Sequence, residues 1–240
     1  MHNSFMKYPL VENKKISVII GSILVLFFSI LYSGYLKNDS ILSRDDKELV
    51  VPMKDIKSIG DYIEKVSSNK ILDVQPVRDF SYWINAKLYD LVGYPGFHLI
   101  NLILFFLCIY LVYRILTLLN FNPTIIIMGS LIFALHPIMV SSVGWISARK
   151  HSLALVFILC AIIDLLKKEK LTWKLLLFYL LSVFSHQIVV LFPIWVIYYT
   201  KLKKITLNKK ILVALLLVGS SSLFIRTSHS LIISLATYFL

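Results

Sequence analysis

A polar break separates two long apolar runs between Leu135 and His151. It contains two adjacent cations, Arg149 and Lys150, and no acidic residue is near it in the sequence. A charge at membrane depth is costly unless it is paired. Guanidinium, ammonium and imidazole groups can all bind phosphate, so the break predicts a phosphate site. The alternative is that both cations lie at the membrane interface, with their stems along the start of an apolar helix.

The composition is that of a polytopic membrane protein. The 240 residues are 58% hydrophobic and 16% charged, and the mean hydropathy is +0.79. Several apolar runs approach membrane-spanning length. A net charge of +12 fits Lys and Arg in cytoplasmic loops, so we expect no nucleic-acid partner. The two cysteines and the histidine spacing match no metal motif, and we expect no metal or cofactor.

We predict one all-α membrane domain over residues 1–240 with about seven transmembrane helices, several of them short or paired as hairpins. The predicted spans are Ile16–Tyr35, Phe97–Leu119, Thr124–His136, Ser152–Leu166, two arms within Thr172–Thr200, and Ile211–Ile225, with residues 228–240 as a candidate incomplete eighth span. Lysine clusters flank residues 172–200 on both sides, so this segment must cross an even number of times. Its apex is predicted near Ser185-His186-Gln187. Each arm reaches roughly 20 Å, less than the ~30 Å hydrocarbon core, which puts the polar apex and His136 in a cavity.

The charge distribution also predicts the orientation. Excess lysines place the N-terminus in the cytoplasm, and we expect a bacterial inner membrane. The first outer loop, residues 36–95, then carries ten of the 13 acidic residues. Counter-charges for the outward-facing cations must come from this loop or from a bound anion. Two amphipathic stripes in the loop, Ile56–Val66 and Phe80–Leu91, predict two helices in the membrane interface.

Three stretches resemble the GT-C superfamily of integral-membrane glycosyltransferases, and more narrowly the transmembrane-and-tetratricopeptide-repeat O-mannosyltransferases and their bacterial relatives, without the repeats. Residues 93–101, GYPGFHLIN, resemble their G-x-P-x-x-H-x-x-N motif. Residues 135–150, from LHPI through Val143 and Trp145 to the Arg-Lys pair, resemble their L-H-P-[IL]-x-x-E-x-V-x-W-x-x-x-R-K-D signature. Residues 185–187, followed by Pro193, lie where they carry S-K-E.

The resemblance implies transfer of a sugar from a polyprenyl-phosphate carrier to a lipid or protein acceptor at the outer face. The implied base is Asp39, with Asp45 and Asp46 as the rival placement. The implied contacts to the donor phosphate are Arg149, Lys150, His186, Arg226 and His136. The implied contacts to the acceptor or sugar are Arg78, His98, Trp145 and Gln187. Membrane lipids and the carrier-linked sugar are the implied partners.

The chain departs from the pattern at four positions. The acid of the H-P signature is Ser141, the acid after Arg-Lys is His151, and the lysine and acid of S-K-E are His186 and Gln187. The first alternative function is therefore a catalytically degenerate GT-C-like protein that binds a lipid phosphate or a partner membrane protein. A transporter or flippase is a further alternative, although that class typically shows repeated halves and the sequence shows none.

Overall fold

The computed structural model describes residues 22, 25–37, 44–67, 74–205 and 208–221, and within them the regular elements are helices with no β-strand. Residues 25–31 are helical. The further helices are α1 (Ser33–Leu36), α2 (Arg44–Lys54), α3 (Ile59–Ser67), α4 (Pro76–Lys87), α5 (Tyr89–Val92), α6 (Pro95–Leu118), α7 (Pro123–Leu135), α8 (Pro137–Gly144), α9 (Arg149–Lys168), α10 (Trp173–Ser185), α11 (Phe192–Leu202) and α12 (209–221). Short 3-10 turns occupy Ile146–Ala148 and Gln187–Val189.

Two stretches are long and apolar enough to cross a membrane: α6, and the 23 residues Ile146–Lys168 that contain α9. The pair α7–α8, bent by 55° at its break, would make a third. These helices support the expectation of a helical membrane protein, whereas the count of seven spans stays a prediction. The predicted spans Ile16–Tyr35 and Ile211–Ile225 lie partly, and residues 228–240 wholly, outside the described residues.

Local sequence signals explain where the long helices begin. Gly93 has a φ of +56°, a conformation that favours glycine, and it turns the chain into α6 two residues before Pro95. The side chain of Asn122 accepts a hydrogen bond from the Ile125 N–H at 2.8 Å, which caps α7 ahead of Pro123. The Thr172 hydroxyl caps α10 in the same way, at 3.0 Å from the Leu175 nitrogen. These caps lie within a residue or two of the predicted span boundaries.

The helices α10 and α11 correspond to the two predicted short arms, and the break between them falls at residues 186–191; their pairing as a membrane hairpin stays a prediction. The Ser182 hydroxyl donates to the Ala154 carbonyl at 2.6 Å, which fastens α10 to α9. At the break, the Tyr179 hydroxyl donates to the Val190 carbonyl at 3.1 Å. The two arms and α12 bury one apolar core together with α6 and α9, so the polar apex is held by packing on three neighbouring helices.

The described residues of the predicted outer loop, 44–67 and 74–95, form a folded layer of helices. Buried Val50, Met53, Tyr82, Phe97 and Ile146 form its core, which joins α2 and α4 to the start of α6 and to the 3-10 turn before α9. This core packs the loop directly against the polar break identified in the sequence.

Helix α3 begins at Ile59, whereas the hydrophobic stripe predicted a start at Ile56. Ser58 ends the preceding loop because its hydroxyl accepts from the Asp61 N–H at 3.2 Å. The Asp61 carboxylate accepts in return from the Ser58 hydroxyl at 2.8 Å and from the Lys57 N–H at 2.7 Å. These bonds, the serine hydroxyl first, lower the pKa of the Asp61 carboxyl.

We expect Gly219→Ala to destabilise the protein by about 1–3 kcal/mol. A Cβ at this position would lie 2.9 Å from the Tyr179 hydroxyl oxygen and 3.2 Å from the Val190 carbonyl oxygen, at the contact that holds the hairpin break. Thermal unfolding in detergent, followed by monomer recovery after heating, measures the change. Gly34→Ala is the matched control, since a Cβ there meets nothing within 4 Å, and an equal loss in both variants would contradict the assigned contact.

Candidate functional site

Arg149 lies near the C-terminal end of the polar break and is completely buried. Its Nε donates to the Asn101 side-chain oxygen at 2.8 Å, and its Nη1 donates to the Asn85 side-chain oxygen at 2.6 Å. Nη1 also donates to the Ser81 carbonyl at 3.2 Å, and Nη2 donates to the Phe97 carbonyl at 2.8 Å. The guanidinium group thus joins α9 to α4 and α6.

The acceptors around Arg149 are neutral oxygens, and among the described residues it forms no ion pair. Two aromatic rings also contact the cation: the guanidinium carbon lies 4.8 Å from the centre of the Tyr82 ring and 5.6 Å from that of the Phe97 ring. Ring faces attract cations most strongly where water is excluded. The buried charge is therefore stabilised by carbonyl dipoles and π-electrons, and most of its donors are used within the protein.

Asp46 is the acidic residue that the structure brings to the break. Its side chain is 1% exposed, and Oδ1 accepts from the Ser147 N–H at 2.7 Å across 101 residues of sequence. The neighbouring Asp45 is exposed at the same end of α2. The start of this outer-loop helix is therefore fixed against the 3-10 turn that leads into Arg149.

The Tyr82 side chain joins α4 to the 3-10 turn before α9 and lies against Arg149. Its hydroxyl donates to the Ile146 carbonyl at 3.0 Å. Burial raises the pKa of the Tyr82 hydroxyl; the Arg149 and Arg78 charges oppose that rise, and the Asp46 and Asp79 charges add to it. The phenol stays protonated as a donor, and Asp46 and Arg149 act on it within one buried region.

The G-x-P-x-x-H-x-x-N stretch supplies two residues of this region. Asn101 accepts from Arg149 with its oxygen and donates with its nitrogen to the Trp145 carbonyl at 3.1 Å. His98 is buried, and its Nδ1 lies 3.4 Å from the Val143 carbonyl oxygen, which can only accept. These contacts fix the backbone on both sides of Trp145, whose indole is exposed.

His136 and His186 have the same local role at two chain breaks. The Nδ1 of His136 accepts from the Ile138 N–H at 3.3 Å, and the Nδ1 of His186 accepts from the Ile188 N–H at 3.1 Å. A ring nitrogen that accepts a backbone hydrogen bond carries no proton itself, so the neutral ring holds its proton on Nε2. Each ring is thereby set as an Nε2–H donor, while it caps the helical turn that follows.

The rings of His151 and His186 meet, with their centres 4.5 Å apart. His151 lies in the first turn of α9, next to half-buried Lys150, and His186 lies at the hairpin break beside half-buried Gln187. The structure therefore joins the R-K end of the signature to the predicted apex. Contacts among the described residues do not link His136 to this pair.

The remaining predicted site residues are Asp39, Arg226 and Arg78. Asp39 and Arg226 lie outside the described residues. Arg78 is completely buried and pairs with Asp79, with its Nη2 2.6 Å from Oδ1. Burial raises the pKa of the Asp79 carboxyl, and the Arg78 charge opposes that shift. The predicted roles of all these residues in binding stay predictions.

The sequence reading did not include Ser81, Tyr82, Asn85 and Ser147 in the site. A usable signal was present in Asn85 and Asn101: each is a lone amide in an apolar neighbourhood, at a distance in sequence from a cation that has no nearby acid. Among the described residues, no group of three or more His, Cys, Asp or Glu side chains is placed to hold a metal ion.

Comparison with known proteins gives one partial similarity. The chain is 30% identical over 126 residues to a Caenorhabditis elegans protein named protein O-mannosyl-transferase. The aligned part covers 50% of this chain and 18% of that protein, so the chain corresponds to a small part of its relative. No protein-family model and no solved structure matches. The similarity supports a glycosyltransferase-like relationship.

We expect Arg149→Lys to lower the free energy of unfolding by on the order of 3 kcal/mol, because an ammonium group cannot supply the planar fork and leaves buried acceptors without a donor. Thermal unfolding in detergent measures this loss. The matched control is the reverse exchange at the next residue, Lys150→Arg, which is half-buried and should leave stability unchanged. Equal stability of Arg149→Lys and the parent would rule out a structural role for the guanidinium fork.

Proposed function

We propose that this protein transfers a sugar from a polyprenyl-phosphate donor to a lipid or protein acceptor at the outer face of a membrane. The acceptor hydroxyl oxygen attacks the anomeric carbon, the bond from that carbon to the phosphate oxygen breaks, and a carboxylate takes the hydroxyl proton. The lipid phosphate leaves with the bonding electrons and needs no proton. The outcome is inversion at the anomeric carbon.

The observation that carries this proposal is the bond from Asp46 to the Ser147 N–H. It brings an outer-loop carboxylate pair to the signature stretch whose pattern resembles that of lipid-phosphate glycosyltransferases. Asp46 is buried and accepts a hydrogen bond from the backbone, so we assign it a positioning role. Asp45 is exposed beside it and is the candidate base, because a base must reach the acceptor hydroxyl. Asp39 remains its rival.

The donor phosphate is assigned to the outward-facing groups near the hairpin break. Lys150 supplies the charge, His186 supplies an Nε2–H donor, and His151 lies against His186. Arg226 and His136 are further candidates. The guanidinium group of Arg149 already donates to Asn85, Asn101 and backbone carbonyls. We therefore assign Arg149 the role of positioning Lys150 and His151, which follow it in α9. Gln187, His98, Trp145 and Arg78 are kept as the proposed surroundings of the sugar and acceptor.

The same proposal includes the setting of the reaction. The chain is placed in a bacterial inner membrane with about seven spans, a cytoplasmic N-terminus and loop 36–95 outside, in agreement with the lysine-rich loops. The donor is a substrate, and no metal or cofactor is invoked. Polyprenyl-phosphate mannose is the first donor to test, because the similar protein is named an O-mannosyl-transferase.

A second function is favoured by one specific observation. Ser141, His151 and Gln187 stand where the resembling pattern carries acids, so the chain could bind the lipid phosphate without turnover, alone or beside a partner membrane protein. Binding of polyprenyl-phosphate mannose without release of mannose, by the full chain with its acceptor lipids and proteins present, would select this function. Sugar flux across sealed vesicles would instead select a transporter.

We expect Asp45→Asn to abolish transfer, because the amide cannot take the hydroxyl proton. Asp46→Asn should lower the rate and also the thermal stability, since a neutral oxygen accepts the Ser147 N–H less strongly than a carboxylate does. Loss of label from polyprenyl-phosphate mannose, separated from the products by thin-layer chromatography, measures turnover for either acceptor class. Asp39→Asn tests the rival assignment in parallel.

The exposed carboxylate Asp55 provides the matched control, as Asp55→Asn removes an acid from the end of the outer-loop layer near Lys65. If Asp45→Asn retains the parental rate and Asp39→Asn does not, the base is Asp39. If all three carboxylate variants retain it, the carboxylate mechanism is wrong.

We expect His186→Asn to raise the KM for the donor about tenfold, the cost of one hydrogen bond to a charged group. The asparagine oxygen can replace Nδ1 as the cap for Ile188, whereas the Nε2–H donor is lost. Stability should therefore stay near that of the parent. His136→Asn makes the same exchange at the other capping histidine and is the comparison: a larger rise in KM there would move the phosphate to the α7–α8 break.

A further inference from the structure

Helices α3, α4 and α5 present an apolar surface that the other described parts of the chain leave exposed. Ile59 is 79% exposed, Phe80 59% and Leu91 81%. Ile63, Ile84 and Leu88 are exposed on the same helices. The opposite side of the layer is the buried core around Tyr82, so these residues point outward from a folded layer. Exposed apolar surface of this extent marks a contact with another molecule or with a membrane.

A groove of about 250 Å³ opens in this surface between α3 and α4. Its walls include Ile56, Ile59, Phe80 and Trp83. The polar groups in the groove are already bonded within the protein. The Tyr62 hydroxyl donates to Asp79 at 2.8 Å, and the Trp83 indole N–H donates to the Ile56 carbonyl at 2.9 Å. The groove is therefore suited to an unbranched apolar chain.

The position of the groove relative to the long helix α6 indicates what fills it. Only Gly93 and Tyr94 separate α5 from α6, so the layer lies at the level where that helix would enter a bilayer. The Lys54 Nζ lies 3.3 Å from the centre of the Tyr89 ring and donates to the Tyr94 hydroxyl at 3.2 Å. Aromatic rings paired with lysines are typical of the membrane–water interface.

We infer that the α3–α4 groove binds one acyl chain of a bilayer phospholipid and that the surrounding surface lies in the membrane interface. The chain enters between Ile59 and Phe80 and lies on the Trp83 ring. Lys87, with its Nζ 5.5 Å from the Trp83 ring centre, remains at the level of the lipid headgroups. This binding site is independent of the proposed transfer reaction, so the experiment below tests the site whether or not the protein transfers sugar.

Photocrosslinking of the full chain in vesicles of phosphatidylethanolamine and phosphatidylglycerol tests this site. The photoreactive residue p-benzoylphenylalanine replaces Phe80 in the groove, Leu91 on the surface outside it, or Glu64 on the polar face of α3. Mass spectrometry then identifies the adducts. We expect phospholipid adducts at positions 80 and 91 and none at position 64.

Filling the groove distinguishes a specific binding site for the acyl chain from general contact with lipid. In the Ile59→Trp background the indole occupies the entrance, and the adduct at position 80 should be lost while the adduct at position 91 persists. Three outcomes would overturn the inference: equal lipid adducts at all three positions, adducts to a second copy of the chain in place of lipid, or an adduct at position 80 that Ile59→Trp does not change.

Discussion

The burial of the Arg149 guanidinium group is the constraint on which the arrangement of the outer layer depends. A cation removed from water must have its donors satisfied, and here the acceptors come from α4 and α6 together with the faces of Tyr82 and Phe97. These partners belong to segments that are far apart in sequence. The three helices must therefore meet in one register, and any shift of the loop against the long helices would leave the charge or an amide oxygen unpaired.

Asp46 places a carboxylate at the same junction, where it accepts a hydrogen bond from the backbone N–H of Ser147. The Ser147 N–H is in a 3-10 turn between α8 and α9, where it has no partner within a longer helix, and the carboxylate supplies one. One consequence is that the first turn of α2 is held beside the turn that leads to Arg149. The exposed Asp45 therefore lies next to the signature stretch, whereas Asp46 makes the contact that holds the two segments together.

The sequence predicted the elements whose signals are local and missed the contacts whose signals are not. Hydrophobic run length and caps located α6, α7, α9, α10 and α11, because Pro123, Asn122 and Thr172 act within one turn. Helix α2 was not predicted, since its charged start and internal Pro52 hide a short helix stabilised by tertiary packing. The partners of Arg149 were also missed: Asn85 and Asn101 are neutral, and they are 64 and 48 residues away.

The contact between His151 and His186 joins two positions at which the chain departs from the resembling pattern. In the resembling pattern these two positions carry an acid and a lysine, which would attract each other across the same gap between α9 and the hairpin break. Loss of the acid alone would leave an unpaired lysine, and loss of the lysine alone an unpaired acid, each costly where water is scarce. Replacement of both by imidazoles that touch avoids either cost and keeps the two segments together. The first turn of α9 and the break between α10 and α11 are therefore held together by a ring contact rather than by an ion pair.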